Sequence, residues 1–239
     1  MPIDRAVILA GGFGTRMLPA TLNVNKHLLP VYTKSGAIPM LYFPIKTMVS
    51  SGVKDILIIS SKEHCGKIIE NLGDGTDFNA NFTYRIQDIK NTYPGIASAL
   101  KISKDFVKNN FAVILGDNYF EDNFSKEFID FEDGASIFVK KVENPKRFGV
   151  FFDNYIEEKP ESPKSNLAVT GLYLYTKKVF DSLNDLKISK RGELEITDVN
   201  NFFCKKNNIV VNEVKGFWSD MGTPESIINT QNFINSLNF

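Results

Sequence analysis

RAVILAGGFGTRMLPATLNVNKHLLP, residues 5–30, is the stretch that decides the fold. Its apolar run, residues 6–10, has the length and flanks of a fully buried strand. The run ends in Gly11, Gly12, Phe13, Gly14, Thr15 and Arg16. Three glycines in four positions open φ values closed to other residues and let a ligand approach the main chain closely. Arg16 and Lys26 place cations on either side of that loop. From Arg5 to Lys54 the basic residues are Arg5, Arg16, Lys26, Lys34, Lys46 and Lys54, with no acidic residue among them. A strand feeding a cationic glycine loop suits a polyphosphate, whose oxygens accept bonds from backbone N–H groups and guanidinium forks.

Two common glycine loops are excluded. A P-loop ends in Gly-Lys-Ser/Thr, whereas Gly14 is followed by Thr15 and Arg16. The dinucleotide fingerprint needs a third glycine where Met17 stands, and an acidic residue about 20 positions on that is missing. The nicotinamide oxidoreductases are disfavoured on that ground.

The 239 residues suffice for one large domain with a substantial core. Lys+Arg and Asp+Glu balance at 28 each, so bulk attraction to nucleic acid or an anionic membrane is not indicated. The cationic bias is local, which favours a small anionic ligand over a polymer. Cys65 and Cys204 stand far apart in no metal-ligand spacing and fit reduced thiols in a cytoplasmic protein, with a disulfide between them as the alternative. No signal peptide is evident, and no apolar stretch approaches the ~20 residues a membrane span requires.

Further along, residues 39–51 have helical spacing, with Pro44 expected to kink or reset the first turn. Residues 55–60, 82–86 and 111–115 read as strands, and residues 62–72 and 93–108 as helices between them. Strands alternating with helices predict a largely parallel sheet covered on both faces. From about residue 134 strand-like segments follow at 135–142, 147–152, 156–159 and 169–175. Helices are expected at 177–183, 193–205 and 223–237. The fold class is α/β: one Rossmann-like domain over residues 1–239, its mostly parallel mixed sheet flanked by helices. Its first half spans about 1–133, and its second, about 134–239, adds mixed strands to the same sheet.

Ligands of open α/β sheets bind beyond the carboxyl ends of the strands. The glycine loop and the Gly116-Asp117-Asn118 turn both fall there and are expected to share one crevice. A carboxylate beside a triphosphate repels it unless a cation lies between, and Mg²⁺ takes one or two carboxylates with phosphate oxygens and water. Asp117 alone could equally be a turn-forming aspartate. Asp220, in WSDMGT, repeats the pattern of an aspartate before a glycine turn and becomes a candidate second ligand. His27 and His64 each stand apart from any Cys or carboxylate cluster.

Taken together, LAGGFGTR, NKHLLPV, LGDN, FGV, EEKP, AVTGLYLY, RGELEITDVN and W-x-D-x-G-T resemble, in order and spacing, the sugar-1-phosphate nucleotidylyltransferases. Within that family they are most similar to the short thymidylyltransferases that use glucose 1-phosphate. The resemblance implies the nucleotide-diphospho-sugar transferase fold and condensation of dTTP with glucose 1-phosphate, Mg²⁺-dependent, feeding deoxysugar synthesis for surface polysaccharide. It also implies a homo-oligomer, dimer or tetramer. By the resemblance, Arg16 holds the departing pyrophosphate and Lys26 the α-phosphate region. Leu9, Gly11, Gly12, Gly14 and Thr15 line the nucleotide; Gln87 reads the thymine edge, with Gly95 near the base. Asp117 and Asp220 bind Mg²⁺. Gly149, Glu158 and Val169 face the glucose, and Lys159 and Arg191 its phosphate.

Three departures bear on base choice or loop mobility. Phe13 stands where relatives have a small or polar residue, Ser98 where they tend to have Gln, and residues 91–94 lengthen the base-side loop. UTP in place of dTTP is the nearest alternative. A non-catalytic nucleotide-sugar sensor would lack one of Arg16, Asp117, Lys159 or Asp220, and all four are present.

Overall fold

The computed structural model describes residues 3–12, 14–88, 93–184 and 186–237. Strand β1 (Arg5–Ala10) leads into the glycine loop and a turn of 3₁₀ helix at Thr15–Met17. A hairpin of β2 (Pro30–Thr33) and β3 (Gly36–Pro39) precedes α1 (Tyr42–Ser50). Then come β4 (Asp55–Ser61), α2 (Cys65–Leu72), β5 (Asn81–Gln87), α3 (Ile96–Lys101), β6 (Asn110–Leu115) and β7 (Asn118–Phe120). β5, β4, β1 and β6 lie side by side, all parallel. This order carries the carboxyl ends of β1 and β6, and so the glycine loop and Asp117, to one rim.

The second half begins with α4 (Ser125–Asp130) and β8 (Ala135–Lys141), followed by β9 (Gly149–Phe152), β10 (Tyr155–Glu158) and β11 (Leu167–Thr176). It ends with α5 (Val179–Ser182), α6 (Ile196–Lys205), β12 (Ile209–Glu213), β13 (Trp218–Asp220) and α7 (Pro224–Ser236). β11 joins β6 antiparallel and continues the same sheet, which reaches nine strands. Its other edge pairs with β8, with a shift of register between Val169 and Tyr173.

Successive β1 side chains enter opposite faces of the sheet, as the two-residue period of a strand requires. Ala6, Ile8 and Ala10 pack beneath Leu41, Ile45, Met48, Ile68 and Leu72. Val7 and Leu9 pack with Ala97, Leu100, Ile196, Val199 and Phe203. Helices thus cover both faces, and the apolar runs read from sequence are doubly buried strands.

Several expected elements are shorter than their periodicity suggested. The helix expected at 39–51 begins at Tyr42, because Pro39 pairs with Pro30 across the β2–β3 hairpin. Pro44 falls in its first turn, where a missing N–H removes no intrahelical bond. The helix expected at 93–108 is confined to Ile96–Lys101: Gly95, at φ 116°, fixes its start, and separate turns follow Lys101. The strand expected from 147 starts at Gly149, after a 3₁₀ turn at Pro145–Arg147.

Candidate active site

The crevice is built along the rim where β1 and β6 end, beside the middle of the antiparallel β11. One arm is lined by Leu9, Gly11, Gly12, Thr15, Lys26, Gln87 and Gly95. The other is lined by Gly149, Glu158, Lys159, Val169, Thr197 and Asp220. Arg16, Asp117 and Arg191, with Ile96, Leu115 and Glu193, line both arms and form the wall they share. Of the residues singled out from sequence, Gly14 alone is absent from both linings. At φ 59°, its missing Cβ would meet Thr21 and Lys26 at 2.9–3.2 Å, so it lets the 21–26 segment close against the loop. Phe13 and residues 91–92 of the base-side loop lie outside the described residues.

Asp117 and Asp220 are brought together by backbone pairing. β7 and β13 form a two-stranded antiparallel ladder in which Asp220 lies opposite Asn118. The Met221 N–H donates to the carbonyl of Asp117 at 2.8 Å. Neither short strand was foreseen, since three residues carry too little periodicity to register.

The two carboxylates differ in surroundings. Burial opposes ionisation of Asp117, but the Lys26 ammonium and hydrogen bonds from Lys26 and Asn118 outweigh it and hold the carboxyl well below the usual range. For Asp220, burial and the nearby negative charge of Asp117 push the carboxyl up to about 6, against the opposing pull of Arg147 and Arg16. An acidic pair in which one carboxylate raises the other's cost of ionisation is a donor set suited to a hard divalent cation. Among the described residues no group of three or more His, Cys, Asp or Glu could hold a metal.

Asn118, quoted in the motif but given no role from sequence, proves to be an organising residue. Its Nδ2 donates to Asp117 Oδ1 at 2.9 Å, while its Oδ1 accepts from the Gly171 N–H at 3.0 Å and from Trp218 Nε1 at 2.8 Å. One amide therefore ties Asp117, the irregular middle of β11 and β13 together. Any side chain at Gly171 would strike it, with a Cβ 2.6 Å from Nδ2. His27 is fully enclosed beside Lys26; burial, with the Lys26 charge, lowers it to about 3. Its backbone N–H and ring Nδ1 both meet Asn25 Oδ1, at 2.8 and 2.7 Å. The ring is a neutral wedge that fixes the turn carrying Lys26.

On the other arm, Glu158 accepts from the Thr197 hydroxyl and, at 3.3 Å, from Arg191. Arg191 also meets Glu193 and Glu195 at 3.2–3.3 Å, so three carboxylates orient it. Lys159 turns out of β10 with φ 45°, and its N–H donates to the Phe148 carbonyl at 3.0 Å. Gly95 lies hard against another segment: a Cβ there would lie 2.4 Å from the Leu194 carbonyl. That close approach joins the two arms of the crevice.

A mixed α/β sheet whose glycine loop shares one crevice with paired aspartates and with Arg16, Lys26 and Lys159 defines a nucleotide-handling class of enzyme. Residues 5–236 match the nucleotidyl transferase family, and the chain belongs to it. It is 39% identical over 246 residues to a Neisseria meningitidis glucose-1-phosphate thymidylyltransferase, covering 98% of this chain and 83% of the relative. A Mycolicibacterium smegmatis protein of the same name is also 39% identical, with the same coverage. A Bacillus anthracis structure assigned as a glucose-1-phosphate thymidylyltransferase, in complex with sucrose, superposes with a TM-score of 0.88 at 43% identity, covering 98% of this chain and 96% of that one. A UDP-glucose pyrophosphorylase complexed with UDP-glucose shares the fold, with a TM-score of 0.81 at 23% identity over 97% and 98% of the chains.

Proposed function

We propose that this protein transfers a nucleotidyl group from dTTP to glucose 1-phosphate, giving dTDP-glucose and pyrophosphate. The observation that carries the reading is the shared wall of Arg16, Asp117 and Arg191 between a glycine-lined arm and an arm lined by Glu158 and Lys159.

The reaction is an in-line displacement. A phosphate oxygen of glucose 1-phosphate bonds to the α-phosphorus of dTTP while the bond from that phosphorus to the bridging oxygen breaks, and pyrophosphate leaves with the electron pair. The nucleophile is already an anion, so no general base is required, in keeping with the neutral, enclosed His27. Such chemistry relies on positioning and on fixed charge aimed at the phosphates. Arg16, exposed at the mouth of both arms, faces the leaving pyrophosphate, and Lys26 the α-phosphate. Lys159 and Arg191 orient the sugar phosphate, Glu158 accepts from sugar hydroxyls, and Gln87 meets the base edge. Asp117 and Asp220 would hold Mg²⁺, which supplies neutralisation of charge between the two anionic reactants when bound.

The proposal extends to a cytoplasmic protein, where dTTP is available, to a homo-oligomeric assembly, and to dTDP-deoxysugar synthesis for surface polysaccharide. No helix among the described residues is long and apolar enough to cross a membrane. The test is pyrophosphate release from each of four nucleotides against several sugar 1-phosphates, with and without Mg²⁺. The dTTP–glucose 1-phosphate pair is expected to give the highest kcat/KM, with UTP disfavoured by no more than about 10–200-fold if one methyl contact decides. No turnover with any pair would sink the proposal.

A further inference from the structure

Arg147 is a crevice residue given no role above. It closes the 3₁₀ turn at Pro145–Arg147, two positions before Gly149, with its guanidinium 5.4 Å from the Phe148 ring centroid. Its Nη2 lies 3.5 Å from both oxygens of Asp220. It lines the sugar-phosphate arm beside Lys159 and is absent from the nucleotide arm. With 37% of its side chain exposed, it can move without disturbing the core.

The surrounding charges constrain what it can do. Lys26 is committed to Asp117, and Arg191 to Glu158, Glu193 and Glu195. Asp220 is therefore balanced chiefly by Arg147, whose side chain is partly exposed. An Nη2 placed between both oxygens of Asp220 competes with any divalent ion for the same lone pairs. A sugar phosphate offers that guanidinium a doubly charged partner that matches its fork. Released from Asp220, Arg147 would find such a partner in the arm it already lines.

We infer that Arg147 is a further phosphate-binding residue: it pairs with Asp220 when no divalent ion holds that carboxylate and passes to the phosphate of the sugar 1-phosphate when one does. The inference rests on the nucleotidylyltransferase reading of the crevice. It is an exchange of ion pairs in which no covalent bond changes. Its effect is that Asp117 and Asp220 are never left to repel each other without a cation, and that the sugar arm gains a phosphate ligand only once the metal site is filled.

The experiment is a titration of the substrate-free protein with Mn²⁺, read by electron paramagnetic resonance, for wild type, Arg147→Gln and Arg147→Lys. Steady-state kinetics of the same three proteins accompany it. Removing the competing charge should tighten Mn²⁺ binding by about tenfold in Arg147→Gln. In that variant the KM for glucose 1-phosphate should rise by about tenfold while the KM for dTTP stays within about twofold, and Arg147→Lys should fall between it and wild type. Unchanged or weaker Mn²⁺ binding in Arg147→Gln, or an equal rise in both KM values, overturns the inference. A wild type that turns over no nucleotide–sugar-phosphate pair overturns the parent reading instead, and the Mn²⁺ titration, which needs no turnover, still judges Arg147.

Discussion

Lys26 and Asp117 form an ion pair with each side chain only 12% exposed. The pair joins the turn after the glycine loop to the end of β6, and so fixes two loops of the crevice relative to each other. Its geometry also makes Lys26 a structural residue. In Lys26→Met, Asp117 would be left enclosed with Asn118 as its remaining side-chain donor. An uncompensated buried charge of this kind should cost about 3 kcal/mol or more. Denaturant unfolding of Lys26→Met is the measurement, and adding Asp117→Asn should recover a large part of the loss. A double variant no more stable than Lys26→Met would show that the charge of Asp117 is not the cause.

Asp220 carries the opposite sign. Its carboxyl stands at about 6 in the fold, above the ordinary value near 3.8. The folded state thus binds its proton more tightly than the unfolded chain does. The stabilisation from that proton is present below about pH 4 and is lost as the pH rises through about 6. Asp220→Asn should therefore stabilise the metal-free protein at pH 8 by about 2–3 kcal/mol, with no gain at pH 4, while turnover collapses. Parallel pH-stability curves for the two proteins would refute the electrostatic origin. A variant that is sturdier and inactive would show stability given up for a metal ligand.

Much of this crevice was legible in the chain because its parts follow apolar runs long enough to read. The run before Gly11 and the run before Asp117 each bury a strand on both faces, and that pattern places both loops on one rim. What escaped notice depends on contacts remote in sequence. β7 and β13 are three residues each and gain their identity only by pairing across about a hundred positions. Asn118 is an ordinary turn residue until Gly171 and Trp218 arrive to occupy its oxygen. Arg147 reads as the start of a strand, and its nearness to Asp220 follows from the turn at Pro145–Arg147. β12 shows too little alternation to stand out, and its partner β8 supplies its register.

Thr197 offers a test of how the sugar arm is held. Its hydroxyl donates to Glu158 Oε2, and Arg191 approaches the other oxygen. In Thr197→Val the carboxylate keeps its charge and loses its fixed orientation. A hydrogen bond to a charged group is worth about 1.5–3 kcal/mol, so the KM for glucose 1-phosphate should rise by about tenfold or more. The KM for dTTP should change little, because Glu158 lies on the sugar arm alone, while the melting temperature should fall by several degrees with the lost bond. Loss of dTTP affinity in equal measure would show that Thr197 supports the whole crevice instead.

Gly95 sits where the two arms meet. The Leu194 N–H donates to the Pro94 carbonyl at 3.0 Å, and the Ala97 N–H to the Leu194 carbonyl at 3.3 Å, so the two chains are stitched on either side of the glycine. At φ 116° an L side chain is already strained, and a Cβ would press to 2.4 Å from one backbone atom of Leu194 and 2.8 Å from another. Backbone atoms cannot swing aside as a side-chain tip can. Gly95→Ala should therefore part the segments and cost about 2–3 kcal/mol. Gln87, whose Nε2 reaches the Gly95 carbonyl at 3.4 Å, should lose its position at the same time. Melting temperature and nucleotide KM measured together would show both effects. A destabilised variant with unchanged discrimination between dTTP and UTP would separate the packing role of Gly95 from any role in base choice.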